Sequence, residues 1–512
     1  SQACSRYDFL LIIILVKNLW AEKSVYTSNY SYFRWKISSR KAGLVQQYAQ
    51  SMAELPRFIH FIFSVIKDQN SMTRKLMKLK FIILIILFLM NGCADSETVT
   101  GYWTGVIEMN GKKVDLALEL NSEGQTFSSY DLMLINQPIS DLKITNTNIS
   151  FSLLLDVELH FKGERKNNEI KGTVEMQNGP PNMNMTFDLT KQPKTPDKPY
   201  SVENLTLKSK NVVLVADYYK QKANGKFPAI VLLHGSSTNL RSDYLYDADY
   251  FAKQGFEVLI FDKRGNGEST GEYFTSGYEE IIDDAIACLE FLSKKESVDK
   301  MKIGLWGYSQ GAMLLPRIAS KSNIPKFLIA KSPEVINVTE AAAYSDSSRV
   351  VNSGNSNSNG HIAANSHREV EKLINNGANY KEVENFIQQN ALKYRFMNQT
   401  GLYSGLNIDK NEFDGFYWKG RTENFYSFWK EIRIPTLVLL GGRDDLVNTE
   451  KNKLLLNNLN NEYLEIVDFP LANHHLKKTF NPTMDSEFDF PRLIEGYTEN
   501  VEEWIEKEIT KR

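Results

Sequence analysis

Cysteine is nearly missing from this chain: Cys4, Cys93 and Cys288 are the three among 512 residues. So few exclude a disulfide framework, and no C-x-x-C pair or Cys/His cluster offers the spacing of a zinc site. No metal and no cofactor is expected. Neither sign of charge predominates, with 60 Lys+Arg against 62 Asp+Glu and a formal net charge of -2. That removes the electrostatic case for a nucleic-acid partner. Long hydrophobic runs are also scarce at the start. FLLIIILV and FIHFIFSVI, both within residues 1–71, fall short of the roughly 20 residues a spanning helix needs. Cys288 lies in an apolar helical stretch (IIDDAIACLEFL) and is expected as a small buried hydrophobe.

Residues 1–71 mix those two runs with Tyr, Ser and Lys in no steady period, and the chain opens at Ser1 without an initiator Met. A translated upstream extension with no structural part is expected here, against a genuine extra membrane segment. From Met72 the pattern changes. MTRKLMKLK is a basic region, Phe81–Met90 (FIILIILFLM) is an apolar run of secretory-signal length, and Asn91-Gly92-Cys93 follows. Residues 72–92 resemble a bacterial lipoprotein signal, with Met90 and Asn91 departing from the usual residues before Gly92. The resemblance implies a lipid-anchored mature protein that begins at an acylated Cys93 in the bacterial cell envelope. Ordinary secretion with cleavage nearby is the alternative.

Residues 99–190 form a block of short, partly alternating runs, among them VDLALEL, ISFSL and MNMTFDL, separated by Asn-Gly, Ser-Glu-Gly and Gly-Pro-Pro turns. This predicts an antiparallel meander, sandwich or small barrel. At this length a propeller is excluded. His160 stands alone in a strand and is expected to pack or face solvent. Spacer, partial cover and substrate platform all remain open as roles for the block. TKQPKTPDKP (190–199) is the linker.

Beyond residue 200, strands alternate with helices, which predicts a parallel sheet covered on both faces. Its centre is Gly307-Tyr308-Ser309-Gln310-Gly311. MKIGLW before it reads as a buried strand and AMLLPRIA after it as a helix, so Ser309 sits on a sharp turn with its hydroxyl above the strand ends. A Cβ at either glycine would meet neighbouring backbone. PAIVLL (228–233) is a central strand ending in His234-Gly235-Ser236-Ser237, and EVLIF (257–261) leads into Asp262-Lys263-Arg264-Gly265-Asn266-Gly267-Glu268-Ser269. Later come IPTLVLL (434–440), followed by Gly441-Gly442-Arg443-Asp444-Asp445, and YLEIVDF (463–469), followed by Asn473-His474-His475.

These motifs, in this order, resemble the α/β-hydrolase superfamily, and in particular secreted bacterial serine esterases that carry an N-terminal β-rich module. The resemblance covers about residues 205–511. It implies an α/β-hydrolase fold over 200–512, with a helical cap inserted at about 334–429, preceded by the small all-β domain. It further implies Ser309 as nucleophile, Asp444 as the acid and His474 as the base, in the Ser…Asp…His order of that fold. Asp445 and His475 are the respective alternatives. The oxyanion donors would be the backbone N–H groups of Ser236 and Gln310. His234 would brace its turn, and Asp262 and Arg264 would fix the neighbouring loop by pairing. A Ser at the elbow separates this chain from the branches that use Asp or Cys there.

Within the cap, 350–365 is rich in Ser, Asn and Gly and reads as mobile, 370–396 reads as helical, and 413–429 is dense in aromatics. Those aromatics would either line an apolar pocket or pack the cap onto the core. His361 and His367 are not candidate bases. Leu493–Ile509 reads as the closing helix. The expected activity is hydrolysis of a small-molecule carboxylic ester through an acyl-enzyme. The rivals are a thioesterase or serine peptidase of the same fold, and, in another class, a non-catalytic surface lipoprotein that binds glycan or lipid.

Overall fold

The computed structural model describes residues 99–122, 124–155, 157–177, 184–404, 423–479, 490 and 492–510. Residues 1–71, the signal at 72–92 and Cys93 lie outside the described residues.

Nine antiparallel strands come first: β1 (Gly101–Met109), β2 (Lys112–Leu120), β3 (Gln125–Ser129), β4 (Leu134–Pro138), β5 (Ser140–Ile144), β6 (Asn148–Leu154), β7 (Glu158–Lys166), β8 (Glu169–Met176) and β9 (Met185–Gln192). They pair in the order β4-β3-β2-β1-β9-β8-β7-β6-β5. The two edge strands are therefore consecutive in the chain, with Ile139 alone between them. Laid flat, such edges would stand about 38 Å apart at the usual strand spacing, a gap one residue cannot cross. The sheet is rolled shut, and β4 and β5 are two halves of one bent strand. Of the three all-β forms expected, this is the barrel.

Alternation supplies its inner face, as on β2, where Val114, Leu116, Leu118 and Leu120 are all buried. Aromatic rings fill the interior. Phe161 stacks on Phe151 at 4.5 Å and meets Phe187 edge-on at 5.4 Å. Gly163 and Gly172 face each other across β7 and β8, and a Cβ on Gly172 would lie 2.7 Å from the Phe187 ring. The ring occupies the space that two side chains would have taken.

The second sheet comprises β10 (Tyr200–Ser209), β11 (Val212–Gln221), β12 (Phe227–Leu233), β13 (Glu257–Phe261), β14 (Val298–Tyr308), β15 (Phe327–Lys331), β16 (Thr436–Gly441) and β17 (Leu464–Phe469), in the order β10-β11-β13-β12-β14-β15-β16-β17. The pairs β10–β11 and β11–β13 are antiparallel; the rest are parallel. The polar run of β10 went unread in the sequence, since it is an edge strand with Val202 exposed. Strands β13, β15 and β16 are buried along their whole length, as parallel strands covered on both faces must be.

The helices are α1 (Leu245–Lys253), α2 (Tyr278–Ser293), α3 (Gln310–Lys321), α4 (Val338–Asn352), α5 (Asn357–Asn375), α6 (Tyr380–Lys393), α7 (Tyr426–Glu431), α8 (Thr449–Asn458) and α9 (Tyr497–Ile505). Helices α2 and α3 cover one face of the sheet through Ile282, Leu289, Leu314 and Ile318. Helices α1 and α9 cover the other through Phe251, Val501 and Trp504. The closing helix starts later than expected because Arg492–Leu493 pair as a short strand with Lys477–Lys478. Strands β13 and β14 flank β12 on opposite sides. The winding reverses there, so the crevice at the carboxyl ends of β12 and β14 is where a ligand binds in such sheets.

The stretch 350–365, expected to be mobile, is instead the end of α4 and the start of α5, with the Ser356 side chain capping α5. The composition that reads as loop serves close helix packing here. A Cβ on Gly360 would lie 2.7 Å from the Ser347 hydroxyl and 2.8 Å from Val351. With α6, these helices share a small core of Val350, Ala363, Val370, Val383, Ile387 and Met397. Glu340 ties the insertion together, accepting from Arg368 at 3.0 Å and from Lys451 on α8 at 3.0 Å.

Candidate active site

Between β14 and α3, Ser309 holds φ 53° and ψ -114°, a region that costs a non-glycine residue on the order of 1–3 kcal/mol. The flanking glycines permit it. A Cβ on Gly307 would lie 2.6 Å from the Ala312 nitrogen, and one on Gly311 2.6 Å from the Leu233 carbonyl oxygen. Ser309 N–H donates to the Lys331 carbonyl at 2.9 Å, which pins the turn to β15. Among the described residues the Ser309 hydroxyl makes no hydrogen bond; contacts of this kind tighten when substrate arrives.

Asp444 closes the turn after β16. Its Oδ1 accepts the N–H groups of Leu446 at 2.9 Å and Val447 at 2.8 Å, and its Oδ2 lies 2.6 Å from His474 Nδ1. Both side chains are buried. Tyr344, reaching from α4, donates to the Asp444 carbonyl at 3.1 Å, so the insertion touches the turn directly. The His474 ring centroid stands 5.1 Å from that of Tyr308, the residue before Ser309. The neighbouring candidates part from this arrangement. Asp445 is exposed. His475 is exposed, stacks on Tyr308 and bonds its hydroxyl at 3.0 Å rather than a carboxylate.

The loop after β12 lies against the elbow. An added Cβ on Gly235 would be 3.6 Å from Ser309 Cβ. Gly235 N–H donates to the Tyr244 hydroxyl at 3.0 Å, while Ser236 is exposed. Gln310 heads α3, so its N–H has no intrahelical acceptor. His234 braces the turn as expected: it is buried, bonded to the Phe261 carbonyl, and lowered in pKa to about 3 by burial and by the nearby Lys263 charge. Asp262 and Arg264 do pair, though not with each other. Asp262 binds Arg241, and Arg264 binds Asp284 at 2.7 and 2.8 Å.

Two features escaped the sequence reading. Lys263, the variable position of the D-x-R-G run, is buried, and its Nζ donates to the carbonyls of Gly235 and Ser237. No local pattern signals that contact. The aromatic segment 413–429 also divides. Its residues 413–422 lie outside the described residues, whereas Phe425 and Trp429 are fully buried in the sheet's core, Phe425 edge-on to Tyr278 at 5.2 Å. Those two pack the insertion onto the core.

The family model described as the α/β hydrolase fold matches residues 228–476. Esterase EstD of Thermotoga maritima is 25% identical over 269 residues, 49% of this chain and 55% of that protein, so the match spans about half of the relative's length. An uncharacterised 31.7 kDa protein of Escherichia coli is 26% identical over 237 residues, 46% of this chain and 78% of that protein. Among solved structures, an esterase of Pyrococcus furiosus aligns at 20% identity over 60% of this chain and 92% of its own, with a TM-score of 0.39. With its strand order, its strained Ser309 elbow and the family model matched from 228 to 476, the chain carries the α/β-hydrolase fold, and a β-rich module precedes it.

Proposed function

We propose that this chain is a carboxylic ester hydrolase that works through an acyl-enzyme on Ser309. The observation that carries the reading is the buried His474–Asp444 pair at 2.6 Å, with the His474 ring 5.1 Å from that of Tyr308, the residue before a serine held in a strained strand-to-helix turn. With Nδ1 committed to Asp444, the other ring nitrogen, Nε2, is the one left to act as base.

In this mechanism Nε2 takes the Ser309 proton as Oγ bonds to the ester carbonyl carbon. Asp444 holds the tautomer and stabilises the imidazolium. The oxyanion rests on the N–H groups of Ser236 and Gln310, each worth about 3 kcal/mol in comparable sites. The tetrahedral adduct collapses, the C–O bond to the leaving group breaks, and His474 returns the proton to the departing alcohol. Water, deprotonated by His474, then attacks the acyl-Ser309 ester. Its collapse releases the carboxylic acid and restores the serine hydroxyl. Every group in this scheme comes from the chain itself, and the partner is a small-molecule ester. EstD, the Thermotoga relative, is an esterase by name, which supports the choice of substrate class.

The test is hydrolysis of a p-nitrophenyl acyl series by the chain from residue 94 onward, beside Ser309→Ala. Turnover by the parent with a near-background variant sustains the reading. A folded parent inert toward every ester overturns it, and thioester and peptide substrates follow. For localisation, the run at 72–93 supports acylation of Cys93 and anchoring at the bacterial cell envelope. Incorporation of radiolabelled palmitate that survives Cys93→Ser would sink that proposal.

A further inference from the structure

Lys263 presents a buried ammonium for which the acyl-enzyme scheme gives no role. It is 3% exposed. Its sequence neighbours are spent elsewhere, Asp262 on Arg241 and Arg264 on Asp284, and no carboxylate pairs with Lys263 among the described residues. Burying an ammonium without a counter-ion costs several kcal/mol, so whatever holds it there must return much of that. Two carbonyls do: Gly235 O, and Ser237 O at 3.0 Å. They flank Ser236, the residue whose N–H is an oxyanion donor in that scheme. The ammonium also lies 4.0 Å from the centroid of the Tyr273 ring, a cation–π contact that strengthens on desolvation. The Tyr273 hydroxyl donates to Gln310 Oε1 at 3.1 Å. One connected set of contacts therefore runs from the loop after β12 to the residue that heads α3.

We propose that Lys263 is the positioning residue of the oxyanion hole, clamping the two carbonyls on either side of Ser236 and tying that loop through Tyr273 to Gln310. The inference rests on the acyl-enzyme reading of Ser309 for its consequence, though the clamp itself is a property of the loop. Preorganised donors act because they need not reorient as charge develops. A clamp that fixes the peptide planes around Ser236 serves that end without touching substrate. Its loss should raise the barrier to the tetrahedral adduct while leaving ground-state binding alone. A lysine with a merely structural role would instead show itself in stability. Burial pushes the Lys263 pKa down to about 7, and Lys263→Met removes that burial cost together with the two hydrogen bonds, so the split between kcat and KM, and not the melting temperature, reads the clamp.

The experiment uses the chain from residue 94 onward with Lys263→Met, Tyr273→Phe and Ser309→Ala. Readouts are kcat and KM on p-nitrophenyl butyrate, inhibition by a phenylboronic acid that forms a tetrahedral adduct on serine, and amide exchange over 234–240. For Lys263→Met the expected result is kcat lower by about 10- to 100-fold, with KM within about twofold. The boronic acid should weaken by the same factor, and exchange at 234–240 should accelerate. Tyr273→Phe should show a smaller loss in the same direction. A Lys263→Met protein with kcat within twofold of the parent, or with a loss confined to KM, overturns the proposal. If the parent hydrolyses no ester, or Ser309→Ala retains full turnover, the acyl-enzyme reading fails by itself. The exchange measurement then decides the clamp, and unchanged protection at 234–240 refutes it.

Discussion

The barrel and the α/β domain bury their side chains to opposite ends. The barrel's interior is hydrocarbon: Trp103, Phe127, Phe151, Phe161 and Phe187 fill it, and its buried polar side chains are those of Ser129 and Ser152 among the described residues. The α/β domain has larger apolar layers, yet it also buries Asp247, Lys263, Arg264, Asp284, Lys331, Glu334, Asp444 and His474. Each of these costs free energy unless paired or hydrogen-bonded. The difference teaches where to look for chemistry. A closed sheet has no free edge, and here apolar side chains fill its interior. A sheet with a winding reversal leaves a crevice at its carboxyl edge, and polar groups gather there.

The comparison makes predictions that can break it. The largest effect should come from Ser309→Ala, with kcat on a p-nitrophenyl ester falling by about 10⁴-fold or more and the unfolding midpoint barely moved. A drop under tenfold would remove Ser309 from the chemistry. Next is Asp444→Asn, expected to lower kcat by about 10³- to 10⁴-fold through the wrong His474 tautomer; a loss under tenfold would transfer the acid role to Asp445. On the barrel side, Phe161→Ala should cost about 3–5 kcal/mol in urea unfolding, while kcat per folded molecule stays within twofold. A large activity loss in the folded fraction would make the barrel part of the site.

The seam between the two regions sharpens the contrast. Phe490 is buried in the barrel's core, and Leu493 N–H donates to the Asp131 carbonyl at 3.2 Å. The strand pair Lys477–Lys478 with Arg492–Leu493 joins this seam to the loop of His474. Phe490→Ala should therefore cost about 3 kcal/mol and also lower kcat a few-fold; unchanged kcat would show that the two regions work independently. The smallest effect concerns Glu334, which accepts the N–H groups of Val335 and Ile336 and has its pKa raised by burial to about 7. Its folded value exceeds the unfolded one, so the native state holds the extra proton between about 4.5 and 7. Stability is full below that window and is lost as pH rises through it. Glu334→Gln should raise the melting temperature at pH 8 and leave it unchanged at pH 4. An equal shift at both would refute the linkage.

Much of the hydrolase domain was legible because its signals are local. The run around Ser309 needs two glycines for a steric reason visible within five residues, and both meet backbone where expected. His474 and Asp444 were legible as loop residues after apolar strands, and the structure joins them at 2.6 Å. Where sequence reasoning failed, the deciding contact was distant. The Ser/Asn/Gly stretch at 350–365 forms helices because a facing helix needs small residues, as at Gly360 against Ser347. Phe425 and Trp429 sit in an aromatic-rich run that suits a pocket as well as a core.

By itself, then, the sequence determined the alternation of strand and helix, the elbow at Ser309 and the turns that carry Asp444 and His474. Periodicity, turn chemistry and glycine sterics act over a few residues and can be read along the chain. The tertiary structure decided the closure of the barrel across Ile139, the choice of His474 over His475 as the partner of Asp444, and the burial of Lys263 beneath the loop of Ser236. Each of these depends on which distant segments share a volume, and no local pattern records that.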